Sequence, residues 1–205
     1  MPSDSVRIAA DCPSDGHQTT QFSEEHTMTD TSALPQRLHH TAYCTKDQEA
    51  TRAFYEGIIG LPLLATWSEQ DELFGAVRTY CHTFFGLGDG SALAFFQFAD
   101  PEDQALFDPE LLPSPFRHIA LKVSADVQND IEKRLADAEW LPEQTFVLEH
   151  GYCRSLYTTD PNGMVLEFTV DHPSADEINA DRRADAHQVL ERWLGGDHTS
   201  NNNYR

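Results

Sequence analysis

Two histidines and one glutamate, His40, His118 and Glu167, are the residues whose types and settings suggest chemistry. Each histidine lies in a short segment of the same pattern, Leu-His-His-Thr-Ala-Tyr and Phe-Arg-His-Ile-Ala-Leu, which is typical of a strand that leads into a helix. Glu167 lies in an apolar run after Asp-Pro-Asn-Gly, a sequence that favours a tight turn between two strands. Two imidazoles and one carboxylate can hold a divalent metal and leave positions open for reactants. The sequence therefore predicts a metal centre formed by these three side chains.

The first histidine position has two candidates, because His39 and His40 are adjacent. Neighbouring residues of a strand face opposite sides, so only one of them can enter a shared site. Alignment of the two matching segments places His40 opposite His118 and selects it. A single strand histidine is more often structural, and it is the repeated pattern together with the Glu167 hairpin that favours a metal.

The elements that would position these residues follow one order twice. The first pass has strands at 38–44, 61–67, 79–86 and 92–98, with a helix after the first strand that Thr45 or Asp47 can cap and that ends near Gly57. Ala50, Phe54 and Ile58 give that helix an apolar face. The second pass has strands at 116–123, 145–150, 153–159 and 164–170. Its helix begins after Ser124 with Val127, Ile131 and Leu135 on one face.

This order predicts an α+β fold in which two tandem βαβββ modules form a curved mixed sheet around the metal site. The predicted organisation is a flexible N-terminal arm at 1–35, a body at 36–171 and a C-terminal helix and tail at 172–205. Within the body the modules span about 36–99 and 116–171, joined by a Pro- and acid-rich connector. The arm is predicted to be flexible because it lacks a periodic apolar face. The C-terminal helix, at about 175–194, is expected to pack on the body through Ala186, Val189, Leu190 and Trp193.

Composition excludes several classes of function. The 205 residues carry a formal net charge of −20, which argues against nucleic acid as a partner. The sequence has no apolar run of membrane-spanning length and no basic segment followed by an apolar one, so neither a membrane span nor a leader peptide is predicted. The four cysteines have no metal-finger or redox-pair spacing and are interpreted as free thiols in a reducing compartment, the cytoplasm.

The tandem βαβββ order, with His40 and His118 in equivalent strands and Glu167 in the last strand, resembles the vicinal oxygen chelate superfamily over roughly residues 36–171. Within it, the stretch from His150 to Glu167 is similar to the signature of extradiol ring-cleaving dioxygenases. The resemblance implies that His150 and Tyr157 act on substrate or oxygen, beside the metal ligands. The match has two departures: Leu148 replaces a small or β-branched residue, and no histidine lies between Phe96 and Arg117.

The resemblance also implies a function, which we state as an expectation. The expected activity is cleavage of a catecholic ring with O2 by an Fe(II) enzyme, with Mn(II), Zn(II) or Ni(II) as alternative metals. Ala94 occupies the place in the first module that Glu167 occupies in the second, so a fourth carboxylate ligand of the glyoxalase I type is missing. The alternatives are a glyoxalase-like isomerase or lyase, a transferase of the fosfomycin-resistance type, and a drug-binding protein of the bleomycin-resistance type. The expected partners are an aromatic diol, O2 and a second copy of the chain.

Overall fold

The computed structural model describes residues 34–110 and 114–204, so the predicted arm lies outside the described residues apart from its last two. The first module contains one four-stranded sheet and a helical segment. Its elements are β1 (His40–Cys44), α1 (Gln48–Arg52), a π-helical segment (Ala53–Ile59), β2 (Leu63–Leu73), β3 (Ala76–Gly86) and β4 (Ala92–Phe98). The strand order is β1-β4-β3-β2, with β1 parallel to β4 and the other pairs antiparallel.

The second module repeats this arrangement after a helix, α2 (Pro101–Phe107), which forms in the segment predicted to be a connector. Its elements are β5 (His118–Lys122), α3 (Ala125–Asp137), a 3-10 turn (Pro142–Gln144), β6 (Phe146–Glu149), β7 (Cys153–Thr159) and β8 (Val165–Asp171). The order β5-β8-β7-β6 again has one parallel pair, β5 with β8. The α+β fold of two βαβββ modules is therefore confirmed. Among the described strands none pairs from one sheet to the other, and β1 and β5 each lie at an edge.

Strand register makes the two modules equivalent residue by residue. His40 is the first residue of β1 and lies opposite Ala92, the first residue of β4. His118 is likewise the first residue of β5 and lies opposite Val165, the first residue of β8. His40, rather than His39, is thus the structural counterpart of His118.

The same register relates Ala94 to Glu167. Ala94 lies opposite Ala42 in β1, and Glu167 lies opposite Ala120 in β5. Ala42 and Ala120 each follow the histidine of their strand by two positions. Residues two apart in a strand share a face. Each module therefore has a histidine at the start of its first strand. On the same face, the neighbouring last strand carries Ala94 in the first module and Glu167 in the second.

The first helix differs from its predicted geometry. It begins as an α-helix capped by the Asp47 side chain and widens into the π-helical segment, which ends at Gly60 with a φ of 89°. The extra residue per turn rotates the apolar face, so Tyr55 and Ile59 are buried beside Phe54. The predicted face of Ala50, Phe54 and Ile58 was therefore only partly correct.

Helix α3 also buries a residue that the apolar pattern did not indicate. The Ser124 side chain accepts a hydrogen bond from the Val127 backbone, as a cap should, but Val127 itself is 44% exposed. Ile131 and Leu135 are buried as predicted, together with Gln128. The Gln128 amide donates to the carbonyl oxygens of Arg154 and Phe168, which makes its burial favourable.

The two modules share one hydrophobic core between their helices and sheets. The buried members are Phe54, Tyr55, Ile59, Phe85, Leu93, Phe95, Ile131, Leu135, Leu156, Leu166 and Phe168. Two hydrogen bonds also join the modules. The Tyr55 hydroxyl donates to the Asp160 carboxylate at 2.8 Å, and the Arg134 guanidinium donates to the Ile59 carbonyl at 2.7 Å. Burial raises the pKa of the Asp160 carboxyl, and hydrogen bonds from Tyr55, Asn162 and the Met164 backbone only partly oppose that effect.

The connector and the C-terminal helix show where sequence pattern was insufficient. Helix α2 forms because the Asp100 side chain accepts from the backbone of residues 102 and 103 and Pro101 occupies the first turn. Helix α4 (Ala175–Leu194) has the predicted bounds, but its predicted apolar face does not pack on the body. Leu190 and Trp193 are more than half exposed, and the Trp193 ring contacts His198 instead. Over the described ranges, no helix is both long and apolar enough to cross a bilayer.

Candidate metal centre

His118 and Glu167 form a close pair on one face of the second sheet. His118 Nε2 lies 2.9 Å from Glu167 Oε2. His118 Nδ1 lies 3.1 Å from the carbonyl oxygen of Pro115, and a carbonyl can only accept, so Nδ1 carries the hydrogen. This bond leaves Nε2 as the nitrogen that faces the carboxylate. Two such groups at this distance require a proton or a cation between them, and the pair therefore fits a metal.

Hydroxyl groups from neighbouring strands hold the Glu167 carboxylate. Burial, which leaves its side chain 9% exposed, opposes ionisation. Hydrogen bonds from Ser155, Tyr157 and Thr169, with His118 close by, outweigh burial and lower the pKa of the carboxyl. Glu167 is therefore ionised at neutral pH, the state in which a carboxylate binds a metal.

His150 and Tyr157 extend this arrangement away from the pair. Tyr157 lies opposite Glu167 across β7 and β8, and His150 follows β6, where its backbone nitrogen donates to the Cys153 carbonyl. His150 Nε2 is 3.1 Å from the Tyr157 hydroxyl. Burial and the hydrogen bond to Glu167 raise the pKa of Tyr157 to about 12, so the phenol keeps its proton. Tyr157 therefore donates to Glu167 and accepts from His150.

His40 lies in the other sheet and is not brought to this pair within one chain. Its Nδ1 is 2.7 Å from Nδ1 of His39, and its ring contacts His82 and Phe84. Among the described residues no three His, Cys, Asp or Glu side chains are grouped to hold one ion. One chain thus assembles two of the three predicted ligands, and the metal role of all three stays a prediction.

The sequence did not single out the residues that surround the predicted metal ligands on the site face of each module. Ser155 and Thr169 each lie two positions from a predicted site residue in the same strand, so strict alternation is the signal that could have indicated them. In the first module the same positions hold His82 and Phe96. His82 lies in β3 and Phe96 in β4, and alternation is again the signal that could have indicated them.

A cavity of about 400 Å³ lies beside the Asp160–Gly163 turn, which joins β7 to β8. Gly163 has a φ of 82°, a conformation that favours glycine, and its backbone nitrogen donates to the Asp160 carbonyl. Tyr43, Lys46, Asp108 and Arg117 line this cavity among other residues, and none of the three predicted metal ligands does. The three predicted ligands therefore lie outside this cavity, although Arg117, next to His118, lines it.

Comparison with known proteins identifies the family. Residues 37–168 match the family model of the Glyoxalase/Bleomycin resistance protein/Dioxygenase superfamily, and the chain belongs to that superfamily. No curated protein matches the chain.

Several solved structures are similar to the chain at low sequence identity. A glyoxylase/bleomycin resistance protein/dioxygenase domain from Frankia sp. EAN1pec is 16% identical, with 69% of this chain and 95% of that chain covered and a TM-score of 0.53. The fosfomycin resistance protein FosX from Listeria monocytogenes is 18% identical, with 69% and 98% covered and a TM-score of 0.48. Lactoylglutathione lyase from Agrobacterium tumefaciens is 21% identical, with 67% and 95% covered and a TM-score of 0.45. The likeness to the Frankia domain, at 16% identity, concerns the fold alone.

Proposed function

We propose that the protein is a metal-dependent dioxygenase of the extradiol type, which cleaves a catecholic ring with O2 and uses Fe(II). The observation that carries the proposal is the hydrogen-bonded series from Glu167 through Tyr157 to His150, next to His118. A metal ligand, a protonated phenol and an imidazole in sequence along one face are the groups that such a reaction needs beside its metal.

The metal would be held by His118 and Glu167, with His40 as the third ligand. When bound, it would supply Lewis acidity and open positions for a diol and for O2. The ordered His118 tautomer and the ionised Glu167 support this choice of ligands. Imidazole and carboxylate accept Mn(II), Zn(II) and Ni(II) as well, and these are the alternative metals.

His150 and Tyr157 would handle the protons of the reaction. Tyr157 holds its proton and serves as a donor that orients Glu167. His150 lies at the outer end of the series and donates from Nε2 to Tyr157, so its Nδ1 is the nitrogen that would accept a hydroxyl proton from the diol as a general base. This assignment gives His150 a larger role, because the chain has no histidine between Phe96 and Arg117.

We also propose that the active form is a homodimer in which His40 of one copy completes the site of the other. β1 and β5 are edge strands, and Ala42 and Ala120 on their site faces are exposed. Unpaired edges invite another strand. Pairing of β1 from one copy with β5 from another would bring His40 to the His118–Glu167 pair. The described cysteines, Cys44, Cys81 and Cys153, are free, which supports a reducing cytoplasmic setting.

A second candidate is an isomerase, lyase or fosfomycin-resistance-type transferase that uses the same three ligands. The absence of the upstream histidine from the sequence favours this candidate. In it, the metal would stabilise an enediolate or activate a nucleophile rather than bind O2.

The test combines metal analysis with oxygen uptake. The purified full chain is loaded anaerobically with Fe(II), Mn(II), Zn(II) or Ni(II), and bound metal is measured together with O2 consumption on a panel of catechols. His40→Ala, His118→Ala and Glu167→Ala should each remove most bound metal and leave a folded protein, whereas the control His39→Ala should retain it. Full metal retention in the Glu167 variant would contradict the site, and an iron-loaded protein that consumes no O2 with any catechol would favour the second candidate.

A further inference from the structure

The site face of the first module is aromatic where that of the second is polar. On β3 and β4, the His82 ring stacks on Phe96 with 3.6 Å between ring centroids and 19° between planes. Phe84 flanks the other side of His82 at 4.2 Å, and the His40 ring lies 5.6 Å from Phe84 and 6.4 Å from His82. We call His82, Phe84 and Phe96 the aromatic face. It adjoins the third predicted metal ligand.

Register shows that the aromatic face replaces the polar surroundings of Glu167. Phe84 lies opposite Ala94, as Tyr157 lies opposite Glu167. His82 lies opposite Phe96, as Ser155 lies opposite Thr169. The repeat therefore keeps its backbone, while the hydroxyl-bearing residues of the second module correspond to rings in the first and the carboxylate corresponds to a methyl group. A face without a metal carboxylate is available for another ligand.

His82 has an unsatisfied polar atom within this face. The residue is 9% exposed, and its Nε2 is buried with no hydrogen-bond partner among the described residues. A buried polar atom without a partner is unfavourable, and such an atom in a concave face commonly pairs with a ligand group. A hydroxyl or carbonyl group on a ligand could provide that partner.

The surroundings specify the shape of the ligand. Ala94 is fully buried and contributes only a methyl group, so the rings of His40 and Phe84, 5.6 Å apart, border this part of the face. Trp67 lies opposite His82 on β2 and is 57% exposed, so the outer border of the face is open. Phe84 and Phe96 are half-buried and present ring surface. Aromatic walls with one polar group are typical of a site for a flat small molecule.

We propose that the aromatic face binds the ring of the substrate, with His82 as the residue that hydrogen-bonds a ring hydroxyl or its oxygen. The proposal rests on the proposed function for the identity of the site, and it names the substrate class: a planar aromatic ring with at least one hydroxyl group. His82 acts in ring binding and orientation, and the metal ligands and His150 keep their separate roles.

The test uses the metal-free full chain, so that ring binding is measured apart from metal binding. Catechol and cyclohexane-1,2-diol have adjacent hydroxyl groups and differ in aromaticity. Binding is followed by tryptophan fluorescence and by ligand-detected NMR. Catechol should change the emission, the change should be absent in Trp67→Phe, and cyclohexane-1,2-diol should bind at least about 10-fold more weakly because it cannot stack.

Variants at His82 separate the polar contact from the ring contact. His82→Phe keeps a ring and removes the nitrogen atoms. It should weaken catechol binding about 10-fold, the size expected for one lost hydrogen bond to a buried group, while metal content stays unchanged. His82→Gln should retain more binding than His82→Phe. His187→Phe, on exposed helix α4, is the matched control and should bind as the wild type does.

Equal binding of the two diols, or wild-type catechol binding by His82→Phe and Phe96→Leu, would overturn the proposal. If His82→Phe does not fold, as circular dichroism would show, the comparison of His82→Gln with Phe96→Leu decides in its place. Conversion of a dimer to a monomer by either His82 variant would also overturn it, because the face would then be a subunit contact. Catechol binding in a chain that takes up no metal would reject the proposed function and leave the ring site standing.

Discussion

Glu167 is ionised because of its hydrogen-bond donors, since its side chain is 9% exposed and burial alone would favour the neutral acid. Ser155, Tyr157 and Thr169 come from the same and the adjacent strand and meet the carboxylate on one face. The repeated pattern predicted His118 and Glu167 as neighbours, and the signature added Tyr157 and His150. The structure brings these four side chains near one another. The sequence could not predict that Ser155 and Thr169 donate to Glu167, because a serine or threonine in a strand can form many alternative hydrogen bonds.

This setting predicts a pH dependence of stability for the metal-free protein. The pKa of Glu167 is lowered in the folded state, so its carboxylate contributes stability that is fully present above the unfolded pKa, about 4.3, and is lost as pH falls through the folded value. Urea unfolding of wild type and Glu167→Gln between pH 3 and 7 measures this contribution. The advantage of the wild type should be largest at neutral pH and shrink below about pH 4. A difference that is constant with pH would contradict the direction of the shift.

A second prediction at this scale concerns His150. His150→Phe removes the imidazole at the outer end of the series and should slow turnover of catechol by about 10²-fold or more, the usual effect of a lost acid-base group. Iron content and anaerobic catechol binding, seen as a spectral change, should be retained. His172→Phe is a useful control, because that histidine caps the turn before α4 and lies outside the series. Unchanged turnover in His150→Phe would show that His150 has a structural role and does not act as an acid-base group.

At the scale of elements, the first helix carries more of the contact between modules than its sequence indicated. The register of apolar residues predicted an α-helical face, and the π-helical segment shifts that face onto Tyr55 and Ile59. A local widening of this kind has no clear sequence signal, since it depends on tertiary packing. Strands were predicted better, because alternation and turn residues define them directly.

Tyr55→Phe tests the polar contact between modules. The change keeps the ring in the core and removes the hydroxyl that donates to Asp160, so it should lower the free energy of unfolding by about 1–3 kcal/mol. Chemical unfolding of metal-free protein gives this difference. Tyr152→Phe, at a site that is 44% exposed, should change stability by less than about 0.5 kcal/mol. Equal stability of Tyr55→Phe and wild type would show that this hydrogen bond contributes little.

At the scale of the whole molecule, the repeated modules could be predicted from the sequence, whereas the assembly of the metal site could not. The order of strands and helices and the equivalence of His40 with His118 follow from the repeated pattern. The separation of His40 from the His118–Glu167 pair does not, because sequence shows which residues share a type of position and leaves open whether they meet within one chain. The exposed helix α4 is a similar case, since an apolar stripe does not identify what it contacts.

A mixing experiment tests the shared site. His40→Ala and Glu167→Ala chains are each expected to lose metal, but a mixed dimer contains one site with all three ligands. After unfolding and refolding of an equal mixture, random pairing should restore metal to about a quarter of all sites. The control mixes His118→Ala with Glu167→Ala, which alter the same half of the site and should restore none. Equal recovery in both mixtures, or none in the first, would contradict a site shared between copies.

The parallel pairing of the first and last strands of each module has a consequence for biosynthesis. His118 lies on β5, whose only sheet neighbour among the described strands is β8, the last strand of its module. On the ribosome, β5 emerges long before β8. While α3, β6 and β7 are synthesised, β5 therefore has no neighbouring strand to pair with, and His118 has no carboxylate beside it. Contacts between distant parts of a chain form late and slowly. Pausing of translation after β7 should therefore leave a nascent chain that chaperones and proteases recognise, until β8 supplies both the missing strand and Glu167.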